Sequence, residues 1–154
     1  MKTAVHNNVS LMFIQFLAEK LVTESFPGKV FFSNSGAEAN EGMIKLARKY
    51  GNQTGRNTII SMDNSFHGRT ITTLSATGQD VFHTNFGPFP EGFVYARPGD
   101  LAQAEELLKK GAAAFMLETV QGGGGIIQAD TAFWQKLRQL CDQYGVIWVA
   151  DEVQ

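Results

Sequence analysis

The chain has 154 residues, 44% of them hydrophobic and 18% charged, with a formal net charge of -2. That length suggests one domain able to bury about two-thirds of its unfolded surface, and the balance excludes disordered and fibrous classes. No basic excess is present to neutralise phosphates, so no nucleic-acid partner is expected; the lone cysteine, Cys141, rules out a disulfide framework and a cysteine zinc cluster.

Val9, Met12, Phe13, Phe16, Leu17 and Leu21 recur at helical spacing and predict an amphipathic helix packed on a core. Residues 11–18, with Lys2 in front, could serve as the apolar centre of a signal peptide. Glu19 and Lys20, however, stand where a small-residue cleavage site belongs. No stretch reaches the length of about eighteen apolar residues that spans a bilayer, so no membrane partner is expected. With reduced cysteine, the setting is expected to be cytoplasmic. After Pro27 and Gly28, residues 29–32 read as a short buried strand. A helix follows over 37–50, with Ala39, Met43, Ile44 and Ala47 on one face and Gly51 closing it. Residues 58–62 form a β-branched strand ending in the polar turn 63–65, and 77–98 reads as a long irregular connection. Helix 101–110, strand 113–117, a glycine loop at 122–125, helix 133–144 stopped by Gly145 and strand 146–150 complete the pattern. Cys141 falls on the inner side of its helix and is expected to be a small buried hydrophobe.

Strands separated by helices predict an α/β fold with a mainly parallel sheet flanked by helices. Ligands of such sheets bind beyond the carboxyl ends of the strands. The residues standing there are Ser33 to Ala37, Ser65 to Arg69, Glu118, and Asp151 to Gln154. Ser35 and Glu38 have capping-box spacing, Gly36 permits close approach, and the helix start favours an anion such as phosphate. The same residues can be a plain helix cap. Phe66 can stack on a flat ring or plug a core, and Arg69 can hold a carboxylate or be a surface cation. Asp151 can bind magnesium, pair with a protonated heterocycle or cap a strand. The magnesium–nucleotide version lacks a phosphate-loop lysine. His67 reads as a hydrogen-bonded structural histidine, and neither His6 nor His83 has a partner spacing that suggests a metal site, so no metal is expected.

Four runs occur together in order: Asn34-Ser35-Gly36-Ala37-Glu38-Ala39-Asn40-Glu41, Lys45-Leu46-Ala47-Arg48, Ser65-Phe66-His67-Gly68-Arg69-Thr70 and Asp151-Glu152-Val153-Gln154. Over about 30–154 this pattern resembles the class III pyridoxal-phosphate-dependent aminotransferases, and Leu74-Ser75-Ala76-Thr77-Gly78-Gln79 is most similar to their acetylornithine branch. The resemblance implies part of the large domain of the fold type I transferases over 30–154, with a helical segment over 1–29 before it. It implies pyridoxal 5'-phosphate as cofactor, with Gly36 and Ala37 at its phosphate, Phe66 against the ring, Asp151 at the pyridinium nitrogen, Gln154 near the ring hydroxyl and Glu118 in the same pocket. Arg69 resembles the residue that grips the substrate carboxylate. The implied reaction moves an amino group from acetylornithine, or a related amino acid or diamine, to 2-oxoglutarate, as in arginine biosynthesis. Ornithine and 4-aminobutyrate transaminases and glutamate-semialdehyde aminomutase share the pattern, and a noncatalytic remnant of such an enzyme is the alternative.

Two departures stand out. Thr119 replaces the family's usual proline, and Gly123 replaces a glutamate that helps sort amino groups in relatives. None of Lys2, Lys20, Lys29, Lys45, Lys49, Lys109, Lys110 and Lys136 matches the lysine that forms the Schiff base, so the chain is expected to lack that catalytic residue and the C-terminal small domain, and to be inactive alone. Members of the family are homodimers, which the resemblance extends to the full-length protein.

Overall fold

A computed structural model describes residues 2–154, with side chains from Leu11 onward. The chain divides into two compact units, Met1–Ser33 and Asn34–Gln154.

In the first unit, α1 spans Lys2–Glu24. The expected helix forms, but within its own unit it buries no core: Met12, Phe13, Phe16, Leu17 and Leu21 are all exposed, Phe13 at 70%. The sequence contains the reason. Leu11, Met12, Phe13 and Ile14 are consecutive, so apolar groups ring the axis instead of forming one stripe. Val9, the other member of the expected stripe, lies outside the residues whose side chains are described. No described helix is long and apolar enough to cross a membrane. The strand expected at 29–32 does not form, and Phe31 is exposed. A strand exists only with a hydrogen-bonded neighbour, and this short apolar run has none.

The second unit begins with α2 (Gly36–Gly51), a 3-10 turn (Asn52–Thr54) and β1 (Ile59–Met62). Gly51 does not close α2 in a left-handed conformation as expected. It is a buried helical residue, and the left-handed position falls at Gly55, with φ 72°. The segment 77–98, read as irregular, contains a one-turn helix, α4 (Asp80–His83), and an edge strand, β2 (Phe93–Ala96); α3 (Ile71–Ala76) precedes them. Then come α5 (Leu101–Lys109), β3 (Ala114–Leu117), the small hairpin β4 (Val120–Gln121) and β5 (Ile127–Gln128), α6 (Thr131–Tyr144) and β6 (Ile147–Ala150). The glycine loop at 122–125 is the tip of that hairpin.

The main sheet is parallel throughout, in the order β2-β1-β3-β6. Both faces are covered, so its strands read as apolar runs, with alternate residues serving opposite layers. Ile60 and Met62 of β1 and Phe115 and Leu117 of β3 pack with Ala104 and Leu108 of α5 and Leu137, Leu140 and the fully buried Cys141 of α6. Ile59, Ala114, Met116 and Val149 face the other way, onto Ile44 and Ala47 of α2 and Ala76 of α3.

The chain leaves β1 towards β2 on one side and leaves β3 towards β6 on the other. Right-handed crossovers running in opposite directions put their helices on opposite faces, which is how α3 and α6 are placed. The same reversal leaves a crevice between β1 and β3 at their carboxyl ends, where ligands of open parallel sheets bind.

Candidate functional site

Four chain segments reach this crevice. The first is the start of α2. Ser35 accepts from the Glu38 N–H at 3.2 Å, as its spacing predicted, but the Glu38 carboxylate reaches one residue further back, to Asn34 N at 2.8 Å and Nδ2 at 2.9 Å. The acid of the first turn is thereby engaged, while the N–H groups of Gly36 and Ala37 have no acceptor within the helix. Gly36 has no room for a side chain: a Cβ there would meet Val153 Cγ2 at 2.7 Å.

The second segment follows β1. The loop through Phe66 to Arg69 turns onto the start of α2 at Gly68, whose φ of 132° suits glycine and whose absent Cβ would lie 2.8 Å from the Ala37 Cβ. Phe66 donates its N–H to Glu118 Oε2 at 2.8 Å, which ties the end of β1 to the end of β3. Glu118, directly after β3, is the third segment; it is buried, and burial raises its carboxyl above the ordinary glutamate value despite that bond.

Asp151 follows β6 as the fourth segment. Its N–H donates to the Leu117 carbonyl at 2.7 Å, which continues the β3–β6 ladder and fixes where the side chain emerges. Oδ2 accepts from Asn40 Nδ2 at 2.7 Å and lies 2.8 Å from His67 Nδ1. Burial by itself pushes this carboxyl up, but the hydrogen bonds from His67 and Asn40 outweigh it and hold the group below the usual aspartate value.

Behind Asp151 lies a line of buried hydroxyls. His67 Nε2 is 3.2 Å from Ser61 Oγ, Ser61 Oγ is 3.1 Å from Ser65 Oγ, and Ser65 Oγ accepts from Gly78 N at 3.0 Å. One arrangement uses every proton once: Gly78 N–H to Ser65, Ser65 to Ser61, Ser61 to Nε2, and Nδ1–H to Asp151. The tautomer is assigned from this network. His67 therefore is the hydrogen-bonded structural histidine expected, but its partner is the central acid of the cleft.

These segments enclose a cleft of about 310 Å³ lined by Gly36, Ala37, Phe66, Arg69, Glu118, Asp151 and Gln154, all seven of the residues singled out from the sequence. Asn40, His67, Gly68 and Val153 line it as well. Asn40 was missed, though a signal existed: it shares the buried face of α2 with Ile44 and Ala47, at intervals of four and three, and a buried amide there needs a partner. Arg69 lies with its guanidinium 4.9 Å from the centre of the Phe82 ring and 5.8 Å from that of Phe66. No lysine lines the cleft among the described residues, and among those residues no cluster of side chains is suited to a metal ion.

The arrangement suits a flat, anionic heterocycle: helix N–H groups for a phosphate, an aromatic wall, and an ionised acid for a protonated ring nitrogen. Comparison with known proteins gives the same direction. The chain is 46% identical over 141 residues to an acetylornithine/succinyldiaminopimelate aminotransferase of Buchnera aphidicola, covering 90% of this chain and 35% of that protein. It is 49% identical over 140 residues to acetylornithine aminotransferase 2 of Bordetella pertussis, with the same coverage. The ornithine aminotransferase of Toxoplasma gondii, whose crystal structure shows partial occupancy of PLP at its active site, superposes with a TM-score of 0.82 at 30% identity, over 86% of this chain and 33% of that one. The chain thus spans about a third of the length of these relatives. The likeness does not fade before Val30, as the motifs alone suggested: the model of the family described as aminotransferase class-III matches residues 1–154, α1 included. With the family matched over the whole chain and its motif residues gathered on one cleft, the chain belongs to the class-III aminotransferases.

Proposed function

We propose that the cleft holds pyridoxal 5'-phosphate and that this chain forms part of the cofactor-binding large domain of an acetylornithine-type transaminase, a homodimeric cytoplasmic enzyme passing the donor's amino group to 2-oxoglutarate. The observation that carries the reading is Asp151: a buried carboxylate kept ionised by two donors, on the same cleft as an open helix start. Gly36 and Ala37 hold the phosphate, Phe66 lies against the ring, and Gln154 sits near the ring hydroxyl. Glu118 fixes the Phe66 backbone through the bond at 2.8 Å. When bound, the cofactor supplies an electron sink for charge developing at the substrate carbon. Asp151 keeps the ring nitrogen protonated, because an ionised acid so placed favours the charged pyridinium. Asn40 and His67 spend their donors keeping Asp151 ionised and immobile. Arg69, a cation resting on two aromatic faces at the rim, receives the substrate carboxylate. The acetylornithine assignment draws on the names of the two bacterial relatives. Turnover needs a lysine that none of these residues supplies, so the chain alone binds without catalysing.

Pyridoxamine 5'-phosphate is the appropriate probe, since it lacks the aldehyde that would label surface lysines. Titration followed by tryptophan fluorescence should show saturable binding. Asp151→Ala, which removes a charge-assisted hydrogen bond of about 1.5–3 kcal/mol, should weaken it by about 10- to 100-fold. Asp63→Ala, a control off the cleft, should not. Binding indifferent to Asp151, or release of glutamate from acetylornithine and 2-oxoglutarate by the chain alone, refutes the proposal.

A further inference from the structure

Among the described residues, two buried side-chain polar atoms have no hydrogen-bond partner: Gln121 Oε1 and Trp134 Nε1. Each such atom costs about 1–3 kcal/mol when left unsatisfied, so a pair calls for explanation. They belong to different elements, β4 and α6, yet the residues of both line one small pocket that shares Glu118 with the cleft and is walled elsewhere by Met62, Pro98, Ile127 and Ala129. The Gln121 amide is not misoriented. Its Nε2 donates to the Asp63 carbonyl at 2.9 Å, and turning the amide over would set two oxygens against each other. Oε1 is therefore a true acceptor without a donor, and the indole N–H is a donor without an acceptor. The two do not bond to each other.

The space measures about 10 Å³, close to the value of about 10–15 Å³ needed for one water and far too small for anything larger. A water can accept from Trp134 Nε1–H and donate to Gln121 Oε1 at once, leaving one O–H. Glu118 is the third polar residue on this lining, and it also lines the cleft. We propose that a single structural water occupies this space, accepting from Trp134 and donating to Gln121 and Glu118, and that through it α6 and the β4–β5 hairpin position the acid at the back of the cleft. Three bonds are the usual complement of a buried water. The site explains why a tryptophan and a glutamine with incomplete bonding line the same small pocket. It stands apart from the cofactor reading, since the water is present whether or not the cleft binds a ligand.

The test uses the intact chain labelled with nitrogen-15, with Trp148→Phe to assign the Trp134 indole signal. A cross-peak between the Trp134 indole proton and water, with opposite signs in laboratory-frame and rotating-frame experiments, marks a long-lived bound water. Gln121→Met keeps the side-chain length but removes the acceptor, and should abolish that cross-peak while the indole signal itself persists. Trp134→Phe should shift the Glu118 carboxyl titration, followed by carbon-13 NMR, to higher pH. No water cross-peak, a cross-peak unchanged in Gln121→Met, or an unmoved Glu118 titration overturns the proposal. Should Gln121→Met fail to fold, a high-resolution crystal structure of the unaltered chain decides: density within hydrogen-bond distance of both atoms supports it, and a direct Gln121–Trp134 bond refutes it.

Discussion

Replacing Asn40 by leucine isolates the role assigned to the donors around Asp151. Leucine has nearly the same shape, so little cavity forms, and Asn40 is buried at 6% exposure, so solvent cannot substitute for it. Two hydrogen bonds disappear, one to the Asp151 carboxylate at 2.7 Å and one to the His67 carbonyl at 2.9 Å. A bond to a charged acceptor contributes about 1.5–3 kcal/mol and a neutral one about 1 kcal/mol, so the expected loss at pH 7 is roughly 3 kcal/mol. The loss should depend on charge. Asp151 is held below its ordinary value in the folded chain, so its contribution is present above the unfolded value of 3.8 and is lost as pH falls through the folded value. Removing Asn40 weakens the opposition to burial and moves the carboxyl upward, so the variant should lose more stability at pH 7 than at pH 4. Urea unfolding of the four chains of a double-mutant cycle with Asp151→Asn measures the coupling directly. In the Asp151→Asn background the Asn40→Leu cost should fall to about 2 kcal/mol, because both bonds are then neutral. Equal costs in the two backgrounds would show that Asn40 merely fills space, and the electrostatic account of the site would fail.

Three other substitutions probe separate links. Gly51→Ala should gain about 1 kcal/mol by helix propensity, but its Cβ would lie 2.2 Å from the Arg56 carbonyl; thermal melts should show a net loss of about 1–3 kcal/mol, and a raised Tm refutes the contact. Glu118 is raised mainly by burial, so its contribution is complete below the unfolded value of 4.5 and declines as pH rises through the folded value. Glu118→Gln should therefore compare better with the parent at pH 7 than at pH 4 in urea unfolding, and a difference independent of pH contradicts this. Phe82→Leu removes the nearer ring beneath Arg69, a contact of about 0.5–1 kcal/mol, and should weaken succinate binding about 2- to 5-fold. If Arg69→Ala weakens succinate and Phe82→Leu does not, the ring does not position the cation.

Much of this protein was legible as a string of residues because it depends on local chemistry. The apolar runs became β1, β3 and β6, and the two central strands, β1 and β3, are buried at every position because both of their faces are covered. Ser35, Gly36 and Glu38 announced a helix start, and the order of four short runs carried the family. The residues that stand just after strands had to gather at one end of a parallel sheet, which is why Phe66, Arg69, Glu118, Asp151 and Gln154 line one cleft, joined there by Gly36 and Ala37 at the start of α2.

Only the folded chain could decide the rest, since it turns on partners distant in sequence. An apolar run becomes a strand when a neighbour is there to bond it: β2, hidden in a stretch rich in proline and glycine, found β1, whereas residues 29–32 found nothing. Periodicity in α1 revealed a helix but not whether anything covers it. The ionisation of Asp151 rests on Asn40, 111 positions away, and on His67, 84 positions away. Hydrogen bonds are short and directional, so which donors reach a carboxylate is settled by tertiary packing alone.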